Sequence, residues 1–326
     1  MSVVTAHRLA QQLERSGEDV HVMWHGGEPL TVGLRHFEQL YRQLQNCSKI
    51  TRHSVQTNAV LLDEHWAEFF ATEGIGVGVS IDGNVFHNSF RVDRKGRGTH
   101  KQTMDGVENL RKYGIDISLL AVVHERNIGN AERMYEYARS IGAKSLGINV
   151  LEIEAENTVT IRNDQLVQKF WSDLFDAWLG DVSVSVREVD GMLRTIRNRI
   201  TFDPTEAIRM DYFPSVSVDG DVVLLSPELL GCRSERFSDF QIGNINTTAL
   251  NDLLESADEI GYVWEYKAGL MKCRSECGLF TVCGGGFASN KFSEFGRLDV
   301  TETVACRNSI KNLCHVLAMK LEEVTV

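Results

Sequence analysis

Trp24-His25-Gly26-Gly27-Glu28-Pro29-Leu30 follows directly on a short apolar run, His21 to Trp24, that reads as a strand. Paired glycines free the backbone there to approach a ligand, and the proline stiffens the turn. A Gly-Gly turn is as readily structural as functional, so its neighbours decide. Helical spacing covers Val3 to Glu14, Phe37 to Leu44 and Asp63 to Thr72, with Asp63 as a cap. Extended runs cover His53 to Thr57, Gly76 to Ile81, Asp116 to Val123 and Gly147 to Val150, with helices over Lys101 to Tyr113 and Asn130 to Ile141 between the later ones. Strand–helix alternation of this kind predicts an α/β fold with a parallel sheet whose strands are nearly continuous apolar runs. In such a sheet, groups at the C-terminal strand ends form the ligand face.

After about Val150 the pattern changes. Asn163 to Leu179 spaces Phe170, Trp171, Phe175 and Trp178 as a core-facing amphipathic helix. Val216 to Leu225 alternates around Asp219-Gly220, a favoured hairpin turn. A cysteine-rich segment follows, and Cys306 opens a closing helix to Glu323. The division that results is a sheet-based part over 1–185 and a cysteine-bearing part over 186–326.

Composition excludes several classes. The 326 residues are 43% hydrophobic and 24% charged, an ordinary globular balance. A net charge of −11 argues against a nucleic-acid surface, and the basic run Arg91, Arg94, Lys95, Arg97 reads as a solvated loop. No apolar run approaches the ~20 residues that span a bilayer, and the N-terminus lacks the order of a signal peptide. The expectation is a cytoplasmic protein with no membrane partner.

Of seven cysteines, only Cys47 precedes Cys232. Cys273, Cys277, Cys283 and Cys306 are spaced to wrap one metal centre, and Gly284, Gly285 and Gly286 let the backbone come close to it. Thiolate ligation suits iron–sulfur and zinc alike, and ordinary buried cysteines are the bland alternative.

Several of these segments, in order, resemble the radical SAM enzymes, which use S-adenosylmethionine (SAM). Gly26-Gly27-Glu28-Pro29 is similar to their SAM amine-binding motif. Gln56-Thr57-Asn58 and Ser80-Ile81-Asp82-Gly83 close the next strands, followed by His87 and Arg91. The C-terminal cysteines resemble the SPASM extension. The stretch Cys283-Gly-Gly-Gly, Asn290-Lys291, Glu294, Gly296, Thr301-Glu302-Thr303, Cys306-Arg307 is most similar to cyclophane-forming peptide maturases. The resemblance implies a partial (β/α)6 TIM-like barrel that lacks its first strand, carrying a SPASM-type extension.

It implies further that Gly26, Gly27, Glu28 and Pro29 hold the methionyl amine of SAM. Ser80 and Arg91 would take its carboxylate, Arg91 by a forked contact, and Gln56 and Asn58 would shape the pocket. His25 and His87 are candidate acid–base groups that read more simply as structural histidines; no catalytic residue is assigned. Cys273, Cys277, Cys283 and Cys306 would hold one auxiliary [4Fe–4S] cluster. Phe287 stands where a ligand of a second auxiliary cluster is expected, and near Ser226-Pro227 so does Glu228, with Cys232 a doubtful substitute. The family's Cys-x3-Cys-x2-Cys loop, which holds the SAM-cleaving cluster, is absent, so SAM and that second [4Fe–4S] cluster belong to an intact family member. The expectation is a shortened chain that does not cleave SAM and whose strand at His21 to Trp24 is left with an open edge. The function implied is installation of a carbon–carbon side-chain crosslink in a precursor peptide, with flavodoxin or ferredoxin as electron donor. The alternatives are a sulfatase-maturing type of enzyme, a non-catalytic iron–sulfur peptide-binding scaffold and a zinc-stabilised binding module.

Overall fold

The computed structural model describes residues 1–199, 210 and 212–324. The part expected over 186–326 therefore includes residues 200–209, 211, 325 and 326 that lie outside the described residues.

Helix α1 (Val3–Ser16) is fixed at both ends: the Ser2 hydroxyl accepts from the Thr5 amide, and Gly17 closes it at φ 78°. Strand–helix units follow as β1 (Val20–Trp24), α2 (Leu34–Leu44), β2 (Ile50–Thr57), α3 (Glu64–Glu73), β3 (Gly76–Ser80), α4 (His100–Lys112), β4 (Ile117–Val123), α5 (Ala131–Ser140) and β5 (Ser145–Val150). Helix α6 (Asp164–Gly180) leads to a two-residue β6 (Ser185–Val186) and α7 (Arg187–Arg199). The six strands form one parallel sheet in the order β1-β2-β3-β4-β5-β6, with Gln56 opposite Gly78, Ser80 opposite Leu120 and Val123 opposite Val150. As expected, β1 lies at an edge of this sheet. Neither β6 nor α7 is among the elements expected from the sequence; a two-residue strand carries no readable periodicity.

The strands are not the continuous apolar runs expected. In β3, Val77 and Val79 are buried under the helices while Gly76 and Gly78 face the other way. A Cβ on Gly78 would stand 2.1 Å from Gln56 Oε1, one on Gly76 2.8 Å from Arg52 Nη2, and one on Gly147 2.9 Å from Arg187 Cζ. Long polar side chains thus lie across glycines on one face, and the aliphatic core occupies the other.

The remainder comprises the hairpin β7 (Ser215–Val216) and β8 (Asp221–Val223), a third antiparallel strand β9 (Gly243–Asn244), and helices α8 (Leu250–Glu255), α9 (Gly261–Glu276), α10 (Phe280–Cys283), α11 (Ala288–Phe295) and α12 (Val304–Cys306). A π-helical turn (Arg307–Lys311) then runs into α13 (Asn312–Val324). Both chain ends cross the division proposed at 185/186. Leu9, Ala10 and Leu13 of α1 pack with Val222, Leu224 and Tyr262, while Leu313, Val316 and Leu317 of α13 join the core beneath the sheet. Trp171 Nε1 donates to the Asn308 carbonyl at 2.8 Å, docking α6 on the closing segment. Phe170, Trp171 and Phe175 are buried core, as their spacing predicts. No helix among the described residues is long and apolar enough to cross a membrane.

Candidate functional site

Because β1 to β5 run parallel, Trp24, Thr57, Ser80, Val123 and Val150 end on one edge of the sheet. Glu28 knots the first two ends together. Its carboxylate accepts from the Leu30 amide at 3.0 Å, the Thr57 hydroxyl at 2.7 Å and the Asn58 amide at 2.8 Å. Gly26 and Gly27 are exposed, with φ of 90° and 58°. A Cβ on either would meet nothing within 4 Å, so backbone conformation, not space, demands glycine there. Pro29 opens the 3-10 turn Pro29–Val32. Gln56 Nε2 donates to Ser80 Oγ at 2.9 Å, and the Asn58 carboxamide oxygen accepts from the Val60 amide at 2.9 Å.

Arg91 makes the forked contact that its chemistry suggests, but onto Asp82. Nε and Nη2 donate to the two carboxylate oxygens at 2.9 Å and 2.6 Å, and Asp82 is only 3% exposed. Asp82 Oδ1 also accepts from the Val122 amide at 2.8 Å, tying the loop after β3 to β4. His25 is exposed. His87 is buried, which lowers its ring pKa, with the charges of His124 and Arg133 adding to the effect. Its carbonyl lies 3.1 Å from His124 Nε2.

Cys273, Cys277, Cys283 and Cys306 line one cavity of about 130 Å3, together with Thr301, Glu302 and Lys311. Sequence neighbours build this cage. Gly284, Gly285 and Gly286 all take positive φ, and the Gly285 amide donates to Cys283 Sγ at 3.4 Å. Thr303 Oγ1 accepts from the Cys306 amide at 2.9 Å, while the Glu294 carboxylate accepts from the Val304 and Ala305 amides and so caps α12. Glu302 pairs with Arg307 and Lys311 at the rim. Burial and the neighbouring Cys283 push the Cys306 thiol up to about 12, against the pull of Lys311. Four thiolates around one cavity repel one another unless positive charge stands among them, which is what metal ions supply. Among the described residues no three Cys, His, Asp or Glu side chains converge as a single metal ion requires.

Cys232 does not line that cavity. Its thiol donates to the Glu228 carbonyl at 3.1 Å, among carboxylates the sequence reading did not single out as a group. Glu154, in the loop after β5, is pushed up to about 7 by burial and by the charges of Glu228 and Glu152. Burial raises Glu152 also, opposed by Asn290, whose Nδ2 donates to it at 2.6 Å. Glu152 and Glu154 are the residues that motif spacing missed, because Asn290 and Glu228 lie far off in sequence; Asp82 and Lys291 stand within quoted motifs, but their burial and partners do not show there.

Residues 1–138 match the model of the radical SAM superfamily. A protein of Synechocystis, sll1766, is 31% identical over 313 residues, covering 92% of this chain and 79% of its own length. The chain belongs to the radical SAM superfamily. It is an enzyme by family, and that family implies SAM and a [4Fe–4S] cluster. A serine-type anaerobic sulfatase-maturating enzyme of Bacteroides thetaiotaomicron is 24% identical over 321 residues, covering 90% of this chain and 75% of that one. The structure of anSMEcpe with bound AdoMet and the Cp18Cys peptide superposes with a TM-score of 0.78 at 22% identity, covering 99% of this chain and 91% of that one. That of Streptococcus suis SuiB bound to precursor peptide SuiA does so with a TM-score of 0.65 at 15% identity, covering 94% and 69%. The radical SAM fold expected from the motifs is therefore the fold found.

Proposed function

We propose that a protein made of this chain together with the family's Cys-x3-Cys-x2-Cys loop is a peptide maturase of the radical SAM class that joins two side chains of a precursor peptide through a carbon–carbon bond. One observation carries this reading: a four-cysteine cage built by Thr301-Glu302-Thr303, Glu294 and the glycine run is linked through α11 to the C-terminal edge of the sheet. Gly26, Gly27, Glu28, Ser80 and Gln56 would hold SAM at that edge, and Cys273, Cys277, Cys283 and Cys306 one auxiliary [4Fe–4S] cluster. When bound, these groups supply hydrogen abstraction and an electron acceptor.

Joining an aliphatic carbon to an aromatic ring removes two hydrogens, the second as a proton and an electron. Glu154, which titrates near neutrality, is suited to receive that proton. Asn290 holds Glu152 at the same loop. The peptide would lie between the β5 loop and the turn after the hairpin, Pro227–Leu229, that carries Glu228, with electrons arriving from flavodoxin or ferredoxin.

The relation to a serine-type sulfatase-maturating enzyme favours a second reading: removing the same two hydrogens from one serine side chain, with no bond formed to another, would leave an aldehyde. One experiment separates them. The protein is co-expressed anaerobically with peptides encoded beside its gene, and the products are analysed by tandem mass spectrometry and by hydrazide trapping. Loss of two hydrogens with no fragmentation between the joined residues supports the crosslink. A product trapped by hydrazide overturns it in favour of the aldehyde, and unmodified peptide overturns both.

A further inference from the structure

Among the described residues, Lys291 is the one long cation sealed beside the cage. It is 1% exposed, on α11, and its Nζ donates to the Val300 carbonyl at 2.7 Å and faces Cys273 Sγ at 3.8 Å. The ring of Tyr266 lies 5.4 Å from it, and the Tyr266 hydroxyl donates to the Gly286 carbonyl at 2.6 Å. Room is made on α9 by Gly269, where a Cβ would stand 3.0 Å from Nζ and 2.3 Å from the Leu298 carbonyl. A carbonyl, a sulfur and an aromatic face together make a seat for an ammonium.

Sealing an ammonium from water is costly without negative charge close by. The group this ammonium faces is Cys273, whose sulfur carries negative charge once it ligates a metal. A methionine of similar length would satisfy the packing at none of that cost, so a purely structural account leaves the charge unexplained.

We propose that Lys291 is a positioning residue for the metal group of the four-cysteine cage, its ammonium held against Cys273 so as to raise that group's reduction potential. Reduction adds negative charge to the cage, and a fixed cation at short range in a water-poor site stabilises the reduced form. This rests on the proposed iron–sulfur reading of the cage, and the test keeps the two apart.

The full chain is prepared anaerobically, its iron and sulfide are counted, and redox titration is followed by electron paramagnetic resonance. Wild-type protein without iron would sink the cage reading and this inference with it. With the cage loaded, Lys291→Met is expected to keep its iron and to lower the reduced-to-oxidised ratio at a fixed potential at least tenfold, about 59 mV for a one-electron couple. Lys291→Arg, which keeps the charge, is expected to stay close to wild type. An unchanged ratio in a fully loaded Lys291→Met protein overturns the proposal while leaving the cluster intact. So does an equal shift, or an equal loss of iron, in both variants, since either would assign Lys291 to packing.

Discussion

Replacing Glu28 tests whether the turn after β1 is shaped by the carboxylate or merely passes beside it. Its two oxygens accept three hydrogen bonds, from the Leu30 amide, the Thr57 hydroxyl and the Asn58 amide. Bonds to a charged acceptor contribute about 1.5–3 kcal/mol each, and the half-buried setting favours the low end. Glu28→Gln has one oxygen and one NH2. With its oxygen toward Leu30 and Thr57, the NH2 meets the Asn58 amide, donor against donor, and that bond is lost. The surviving two fall to about 1 kcal/mol each as neutral bonds, so the loop should loosen by about 2–3 kcal/mol. Native-state hydrogen exchange reads this directly, because 1.4 kcal/mol is a factor of ten. The Leu30 and Asn58 amides should exchange about fiftyfold faster in Glu28→Gln, and amides of α6 should not change. Wild-type exchange at both amides would refute the reasoning, because water would then be replacing the carboxylate at no cost.

Arg91→Ala leaves Asp82 buried without its counter-charge; we expect a loss of ~3–5 kcal/mol in urea unfolding and new cleavage within residues 83–99, with Arg91→Lys restoring only part because an ammonium does not fork. An Arg91→Ala protein as stable as wild type would contradict the pairing. His53 has both ring nitrogens buried without a partner, and burial, helped by the charge of His21, lowers its pKa to about 4. The unfolded chain takes up that proton near pH 6.5 and the folded one does not, so stability should fall as pH drops from about 6.5 to 4. The drop should be ~1–2 kcal/mol once solvent screening is allowed for. His53→Phe should flatten that limb of a denaturation-versus-pH curve, and an unaltered limb would place the titration elsewhere. Gly285→Ala forces a side chain at φ 111° with its Cβ 2.3 Å from Leu270 Cδ2. A cost of ~1–3 kcal/mol and reduced iron per chain are expected, to be checked by thermal melting and iron assay.

What could be read from the sequence was what lies close together in it. The turn at Gly26-Gly27 shows because a strand and its loop are contiguous, and the cage shows because its four cysteines fall between positions 273 and 306. Arg91 forks onto Asp82, a partner that nothing nearby in the sequence marks as a buried carboxylate. The docking of α1 was invisible for a stronger reason. Its amphipathic spacing announces a buried face without naming the surface that covers it, and Gln12 meets Ile245 across 233 residues of chain. Lys291 read as one more residue of a motif, because a sequence shows a lysine's charge and not its burial. The polar face of the sheet was hidden likewise: Gly-Val-Gly-Val reads as an apolar run until Gln56 and Arg52 are found lying across the glycines.

The link between the two halves of the site comes down to three consecutive residues. Successive positions on an α-helix point about 100° apart, so neighbours in sequence reach in different directions. On α11, Ser289 meets Ser226 beyond the hairpin, Asn290 meets Glu152 beyond β5, and Lys291 meets Cys273 in the cage, and all three are buried. One short helix therefore sets where the cage stands relative to the strand ends. The three glycines before it, at φ 71°, 111° and 76°, admit no ordinary side chain, so the path from Cys283 into α11 is as constrained as the helix itself. If the carboxylates at the sheet edge and the metal in the cage serve one reaction, their separation has to be fixed, and this segment is where the chain fixes it.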